Sequence, residues 1–313
     1  MRAIVVGAGV LGLSCAARLL QAGYEVDVVA RDLPPETTSM VAAALWYPYL
    51  AAPRERVVDW AATTFDELRR LAADEPDSGV LMRWGTELLR EKQDDPWWRG
   101  AVPSFRRLAA PPDGFDDGWR FETPVVDMPT YLPWLAARVE GAGGRITRMA
   151  LPALPNRAPL VVNCSGIAAR SLVGDGTLSP VRGQVVYVAQ VGLTEWLVEE
   201  SDEALPTYVV PRPHDIVVGG TAQPGDWNRR PDPELATRIL DRARALVPEL
   251  AGATVLGHRV GLRPARPAVR LETEHTRDGG PVVHCYGHGG AGVTLSWGCA
   301  DEVVEHVRAL CPV

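Results

Sequence analysis

Arg2-Ala3-Ile4-Val5-Val6-Gly7-Ala8-Gly9-Val10-Leu11-Gly12 decides the fold. The β-branched run up to Val6 predicts a short buried strand, and the three glycines that follow predict a tight turn. Leu11, Cys15, Ala16, Leu19 and Leu20 then recur near helical spacing, which predicts a helix over 10–22 with Gly23 just past its end. Glu25–Ala30 reads as a second strand. Together these make a strand-turn-helix-strand unit, the opening of a doubly wound sheet. In that setting glycines let backbone approach a pyrophosphate, and the helix start offers free N–H groups to it. Gly7, Gly9, Val10, Leu11 and Gly12 are therefore candidate dinucleotide contacts. Asp32 lies where an acid for the ribose is expected, with Arg31 beside it, and which of the two meets the ribose is left open. The unit fits NAD and FAD equally.

Working outward, Leu33–Glu36 is a Pro-rich loop, and the small residues of 37–44 predict the start of a helix. Further helices are predicted over 57–73, 129–142, 233–246 and 293–310. Strands are predicted at 145–149, 160–162, 181–191, 207–210, 215–220 and 282–286, with mixed strands and loops over 81–120. Strand-turn-helix signals of one type appear at the start, middle and end of the chain, so two domains interleave.

The bulk numbers narrow the function. The net charge is −7, which disfavours nucleic acid and anionic lipid as general partners. No run of about 18 apolar residues predicts a membrane span. The apolar N-terminus reads as strand and turn and not as a signal peptide, so a cytoplasmic location is expected. Cys15, Cys164, Cys285, Cys299 and Cys311 are odd in number with no C-x-x-C pair, which predicts reduced thiols and no metal site.

A second glycine-rich stretch runs His284-Cys285-Tyr286-Gly287-His288-Gly289-Gly290-Ala291-Gly292-Val293-Thr294. Four glycines in six residues are costly to order. They make sense where backbone lies against a flat ligand, and a helix start there favours negative charge.

Taken in order, several further blocks identify a family. They are Thr37-Thr38-Ser39 with Ala42-Ala43-Ala44-Leu45-Trp46-Tyr47-Pro48-Tyr49, then Val162-Asn163-Cys164-Ser165-Gly166, then Arg182-Gly183-Gln184. Gly219-Gly220-Thr221 with Gly225-Asp226-Trp227 follows, then Gly261-Leu262-Arg263-Pro264-Ala265-Arg266-Pro267, and last Tyr286–Gly290 through Trp297-Gly298. With the first glycine motif they resemble the D-amino acid oxidase family, D-aspartate oxidases included, nearly end to end. The resemblance implies an α/β fold, a Rossmann-type FAD-binding domain interleaved with a mainly antiparallel-sheet (α+β) substrate domain. Residues 1–50, 130–180 and 258–313 are assigned to the first and 51–129 and 181–257 to the second.

The resemblance also implies FAD as cofactor, a small D-amino acid and O2 as partners, and compatibility with a homodimer. Arg263 takes the substrate-carboxylate role, Tyr208 a substrate-contacting hydroxyl, and Gly290 the backbone carbonyl that meets the amine. Leu45 and Tyr49 line the pocket. Thr37, Thr38, Ser39, Ala43, Ala44, Leu45, Ser165, Gly166, Arg263, Gly289, Gly290, Gly292, Val293 and Thr294 join the first glycine motif, Arg31 and Asp32 as FAD contacts. Three departures matter. Ala204 stands where many members have a second active-site tyrosine, so a lid contact is missing and the pocket is expected to be more open. Ala222 replaces an arginine of D-aspartate oxidases and argues against acidic side chains. Arg31-Asp32 inverts the usual order.

The chemistry fits these residue types. A guanidinium offers a planar fork for a carboxylate, although Arg263 read alone also suits a structural ion pair, and Tyr208 a core tyrosine. Arg266 and Arg270 read as structural or surface arginines. The expected reaction is hydride transfer from the α-carbon of a neutral D-amino acid to flavin N5, giving a 2-oxo acid, ammonia and H2O2. The alternatives are a D-aspartate oxidase or a glycine- or sarcosine-type amine oxidase on the same fold. From other classes come an NAD-dependent dehydrogenase and a non-catalytic flavoprotein.

Overall fold

The computed structural model describes residues 1–48, 51–156, 158–275 and 280–310. The opening unit forms as its pattern dictates: β1 (Arg2–Val6), α1 (Val10–Gln21) and β2 (Glu25–Ala30). Gly23, past the helix end, has φ 88°, a left-handed backbone that glycine adopts without a Cβ penalty. Next come α2 (Arg54–Asp74), β3 (Val80–Leu89), β4 (Asp117–Val126), α3 (Met128–Gly141), β5 (Arg145–Arg148) and β6 (Val161–Asn163). Then follow β7 (Ser179–Ala189), β8 (Trp196–Glu199), β9 (Thr207–Pro211), β10 (Asp215–Gly219) and α4 (Pro233–Leu246). The last are β11 (Val255–His275), β12 (Pro281–His288) and α5 (Gly292–Leu310).

The strands form one continuous sheet in the order β4-β3-β8-β9-β10-β7-β11-β12-β6-β1-β2-β5. Strands β12, β6, β1, β2 and β5 run parallel, the doubly wound half. From β11 through β7, β10, β9 and β8 each pairing is antiparallel. The two halves meet at β11, which pairs with β7 up to Ala265 and with β12 from Ala265 to His275.

Strand alternation sorts the apolar residues. Val186, Val188, Ile216 and Val218 face Ile239, Leu240 and Ala243 of α4 in a core of their own. Val185, Val210 and Val217 belong instead to the main core, with Leu13 and Leu19 of α1 and Leu295 and Trp297 of α5. Among the described residues no helix is long and apolar enough to cross a membrane.

Two expectations fail. Residues 37–44 do not open a long helix: a single 3-10 turn covers Thr38–Val41, and the chain then extends. Its backbone is taken up by β4, with Val126 N–H donating to the Ala44 carbonyl at 3.0 Å and Trp46 N–H to the Pro124 carbonyl at 2.8 Å. Strands β8 and β11 were also not predicted; in β11 the prolines Pro264 and Pro267 read as breakers.

Helix α5 is anchored on α2 by a close crossing. Thr64 Oγ1 accepts from Trp297 N–H (3.1 Å) and Gly298 N–H (3.0 Å), and a Cβ on Gly298 would overlap the backbone of Trp60. Gly298→Ala must force the helices apart. We expect a loss of about 2 kcal/mol or more in unfolding free energy, in the range of other overpacked core sites. A denaturation midpoint equal to that of the wild type would contradict this packing.

Candidate active site

A cavity of about 860 Å³ lies along the junction of the two halves. The parts named here come from seven places in the chain. The glycine turn supplies Gly7, Gly9, Val10 and Leu11, and the end of β2 supplies Arg31 and Asp32. Thr37, Thr38, Ser39, Ala43, Ala44 and Leu45 form one wall, and Ser165 and Gly166 follow β6. Tyr208 comes from β9 and Arg263 from β11. Gly289, Gly290, Gly292, Val293 and Thr294 close the ring at the start of α5. Of the predicted site residues, Gly12 is not on the wall. It packs behind, where a Cβ would overlap the Gly7 carbonyl. Tyr49 lies outside the described residues. Ala204 and Ala222 are joined by a backbone hydrogen bond of 2.9 Å and do not line the cavity.

The glycine turn is tight for a physical reason. Gly7 has φ 115°, and a Cβ there would overlap the Cys164 carbonyl. The loop after β6 is held in turn: Asn163 Oδ1 accepts from Ser165 Oγ (2.6 Å) and N–H (3.3 Å). Ser39 Oγ accepts from Val10 N–H at 3.1 Å. The next N–H groups, of Leu11 and Gly12, precede the first intrahelical donor, Leu13, and have no acceptor in the helix. Asp32 forms two bonds with Arg31, 2.9 and 2.6 Å, and these hold its carboxyl below the usual range.

Beneath the second glycine stretch lie thiols whose spacing gave no sign of a cluster. Cys15, Cys164 and Cys285 bring their sulfurs within 4.8 Å of one another, and the Cys285 and Cys299 sulfurs lie within the same distance of each other and of a His288 ring nitrogen. These four cysteines are buried and free, while Cys311 lies outside the described residues.

At the other end Arg263 and Tyr208 lie flat against glycines. The Arg263 guanidinium covers Gly183, where a Cβ would overlap it. Arg182 and Gln184 point the opposite way and hold 223–232 through the Gln223 side chain and the Asn228, Arg230 and Asp232 carbonyls. This explains the Arg-Gly-Gln triplet. The Tyr208 ring rests on Gly219 and Gly220 in the same manner. Arg263 Nη1 donates to the Thr221 carbonyl at 2.8 Å, and among the described residues no carboxylate pairs with it. The structural ion pair that its sequence also suited is absent there. Arg266 and Arg270 do form such pairs, with Asp175 (3.0 Å) and with Glu272 and Glu274 (2.7 and 2.8 Å). Burial pushes the Tyr208 hydroxyl pKa up, so it stays a donor, while Arg263 beside it pulls the other way.

Sequence reading missed Tyr47, Glu87 and Glu200. Tyr47 and Glu200 line the cavity. Tyr47 Oη donates to Glu87 Oε1 at 2.9 Å, and Glu87 Oε2 is buried without a partner among the described residues. Burial, with the charge of Glu200 added, pushes Glu87 up to about 8. Burial raises Glu200 to about 7 against the pull of Arg263. The signal for Glu200 was available in strand alternation, had β8 been predicted.

Residues 2–306 match the family model described as FAD dependent oxidoreductase (DAO). The chain belongs to the D-amino acid oxidase family. It is 52% identical over 307 residues to a D-amino-acid oxidase of Rubrobacter xylanophilus, covering 96% of this chain and 94% of that one. It is 44% identical to a D-amino-acid oxidase of Streptomyces coelicolor, covering 96% and 95%. Its fold is similar to the crystal structure of glycine oxidase from Geobacillus kaustophilus, with TM-score 0.83 and 20% identity over 98% and 95% of the two chains. The protein is thus an FAD-dependent enzyme, and the cavity fits the group. Two helix starts open on it, Gly7 and Gly9 leave the turn without side chains, and Thr37 Oγ1 is buried on its wall with no partner among the described residues.

Two outcomes follow from this geometry. Gly183→Ala should displace the Arg263 guanidinium and lower kcat/KM by roughly 10²-fold, as loss of a charge-assisted contact does, with FAD retained. Wild-type kinetics in that variant would contradict the stacking. Secondly, the folded protein keeps a proton on Glu87 up to about pH 8, whereas the unfolded chain releases it near 4.5. The stability this contributes is full below the unfolded value and is lost as pH rises through the folded one. The Tm of the wild type should therefore fall more steeply than that of Glu87→Gln between about pH 5 and 8. Parallel slopes would sink the assignment.

Proposed function

We propose that the enzyme oxidises D-amino acids with neutral side chains to 2-oxo acids, ammonia and H2O2. One observation carries the reading: Arg263 presents a half-buried guanidinium to the cavity with no protein carboxylate paired to it among the described residues. An amino acid supplies the missing anion. Its carboxylate takes the N–H groups that Thr221 leaves free and the hydroxyl of Tyr208. The fork fixes the plane of the carboxylate, and hence the direction of Cα–H. The Gly290 carbonyl accepts from the substrate amine. Leu45, Val185 and Val210 exclude water around the Cα.

With the amine neutral, its lone pair expels hydride from Cα and leaves an iminium. Water hydrolyses this to the 2-oxo acid and ammonium. No protein base is needed. FAD, when bound, supplies the hydride acceptor and passes the two electrons to O2. Gly7, Gly9, Val10, Leu11, Ser165 and Gly166 are assigned to its phosphates and Arg31-Asp32 to its ribose. Thr37, Thr38, Ser39, Ala43, Ala44 and the Gly289–Thr294 loop are assigned to the rest. Segments 1–50, 130–180 and 258–313 would form the FAD domain and 51–129 and 181–257 the substrate domain.

The names of the relatives support a D-amino acid as substrate. A substrate with an acidic side chain would bring a second carboxylate into a cavity that already holds Glu200, which disfavours D-aspartate. Anaerobic mixing of the purified holoenzyme with D-alanine should bleach the flavin absorbance, while L-alanine should leave it. Bleaching by L-alanine alone, or by neither, would overturn the reading. Arg263→Ala should keep its yellow FAD and lose on the order of 10²-fold in kcat/KM. Unchanged kinetics would remove Arg263 from the site.

A further inference from the structure

Glu200 lines the cavity with Arg263 and Tyr208, and the proposed reaction does not use it. Its direction is set by alternation. β8 pairs with β9 so that Val198 faces Tyr208 and Glu199 faces Thr207. Glu199 points away from the cavity, into a pair with Arg242 at 3.2 Å and bonds to Ser201. Val198 and Glu200 point the other way, and both line the cavity with Tyr208 and Arg263.

Among the described residues the Glu200 carboxylate makes no hydrogen bond and no ion pair. Glu199, its neighbour, makes several. A mostly buried carboxylate without a partner costs free energy unless a cation or a proton arrives. Arg263 supplies long-range compensation only while its own carboxylate site is empty. Once a substrate carboxylate occupies Arg263, Glu200 is left as the uncompensated charge, with burial and the neighbouring charge of Glu199 adding to its cost. A neutral side chain does nothing for it. A side chain ending in an ammonium or guanidinium restores the balance inside the same cavity.

We propose that Glu200 is a specificity-determining residue that makes D-amino acids with cationic side chains better substrates than neutral ones of equal length. This extends the D-amino acid reading above and rests on it.

D-ornithine and D-norleucine test the idea, because an ammonium in one replaces a methyl in the other. In the wild-type holoenzyme kcat/KM should favour D-ornithine by about 10-fold or more, the value of one charge-assisted contact in a dry site. In Glu200→Gln that preference should vanish, while D-norleucine stays within about 3-fold of the wild type. Glu200→Asp, which keeps the charge, should retain part of the preference. D-norleucine turnover with no advantage for D-ornithine would overturn the role of Glu200 and leave the D-amino acid reading intact. So would an equal loss on both substrates in Glu200→Gln, since that places the carboxylate at the α-amino group or in the fold. Turnover of neither compound by the wild type would overturn the D-amino acid reading itself.

Discussion

The site depends on where β11 changes partners. Up to Ala265 the strand is paired with β7 of the antiparallel half, and beyond it with β12 of the parallel half. Arg263 sits just before the change. Its neighbour Pro264 faces Pro180 across the ladder, and neither can donate a ladder hydrogen bond. The gap is used. Gly289 N–H donates to the Pro264 carbonyl at 3.0 Å and Gly225 N–H to the Pro180 carbonyl at 2.8 Å. The second glycine stretch is thereby pinned one residue from the arginine, and the bend between Ala265 and Arg270 carries the strand onward into the parallel half. A break in the ladder and a junction of two sheets coincide beside Arg263, on the wall of the cavity.

Glycine does two different kinds of work around this point. At Gly7 the backbone itself must come close to another loop, with φ in the left-handed region. At Gly183, Gly219 and Gly220 the space belongs to a side chain, which lies where a Cβ would be. Flat side chains on a bare stretch of sheet have few rotamers open to them. That is a low-entropy way to hold a guanidinium and a phenol in register for a planar ligand.

Much of this was legible in the residues. The opening strand-turn-helix-strand follows from local periodicity and glycine spacing, both short-range, so β1, α1 and β2 form within a residue or two of expectation. The blocks around Arg263, Gly183 and Gly289–Gly290 line one cavity. What escaped is long-range. Residues 37–44 have the small side chains of a helix start, yet their backbone groups are claimed by β4, some eighty positions on. β11 contains prolines that exclude a regular central strand, and only the loops arriving from elsewhere make those prolines tolerable. The buried thiols of Cys15, Cys164 and Cys285 meet because three separate segments cross, which no spacing rule reports.

Glu200 was hidden for the same reason, and its case shows what the charge pattern of the cavity demands. A guanidinium alone in a mostly apolar pocket would select carboxylates of many kinds. A carboxylate alone would be neutralised by taking up a proton. Set in one cavity without touching, the two raise different demands on a ligand: one anion to satisfy Arg263, and no second anion near Glu200. An α-amino acid without an acidic side chain meets both. The proposed selectivity against acidic side chains would then arise from repulsion built into the wall of the pocket, where alternation continued past β8 sends Glu199 to Arg242 and Glu200 into the cavity.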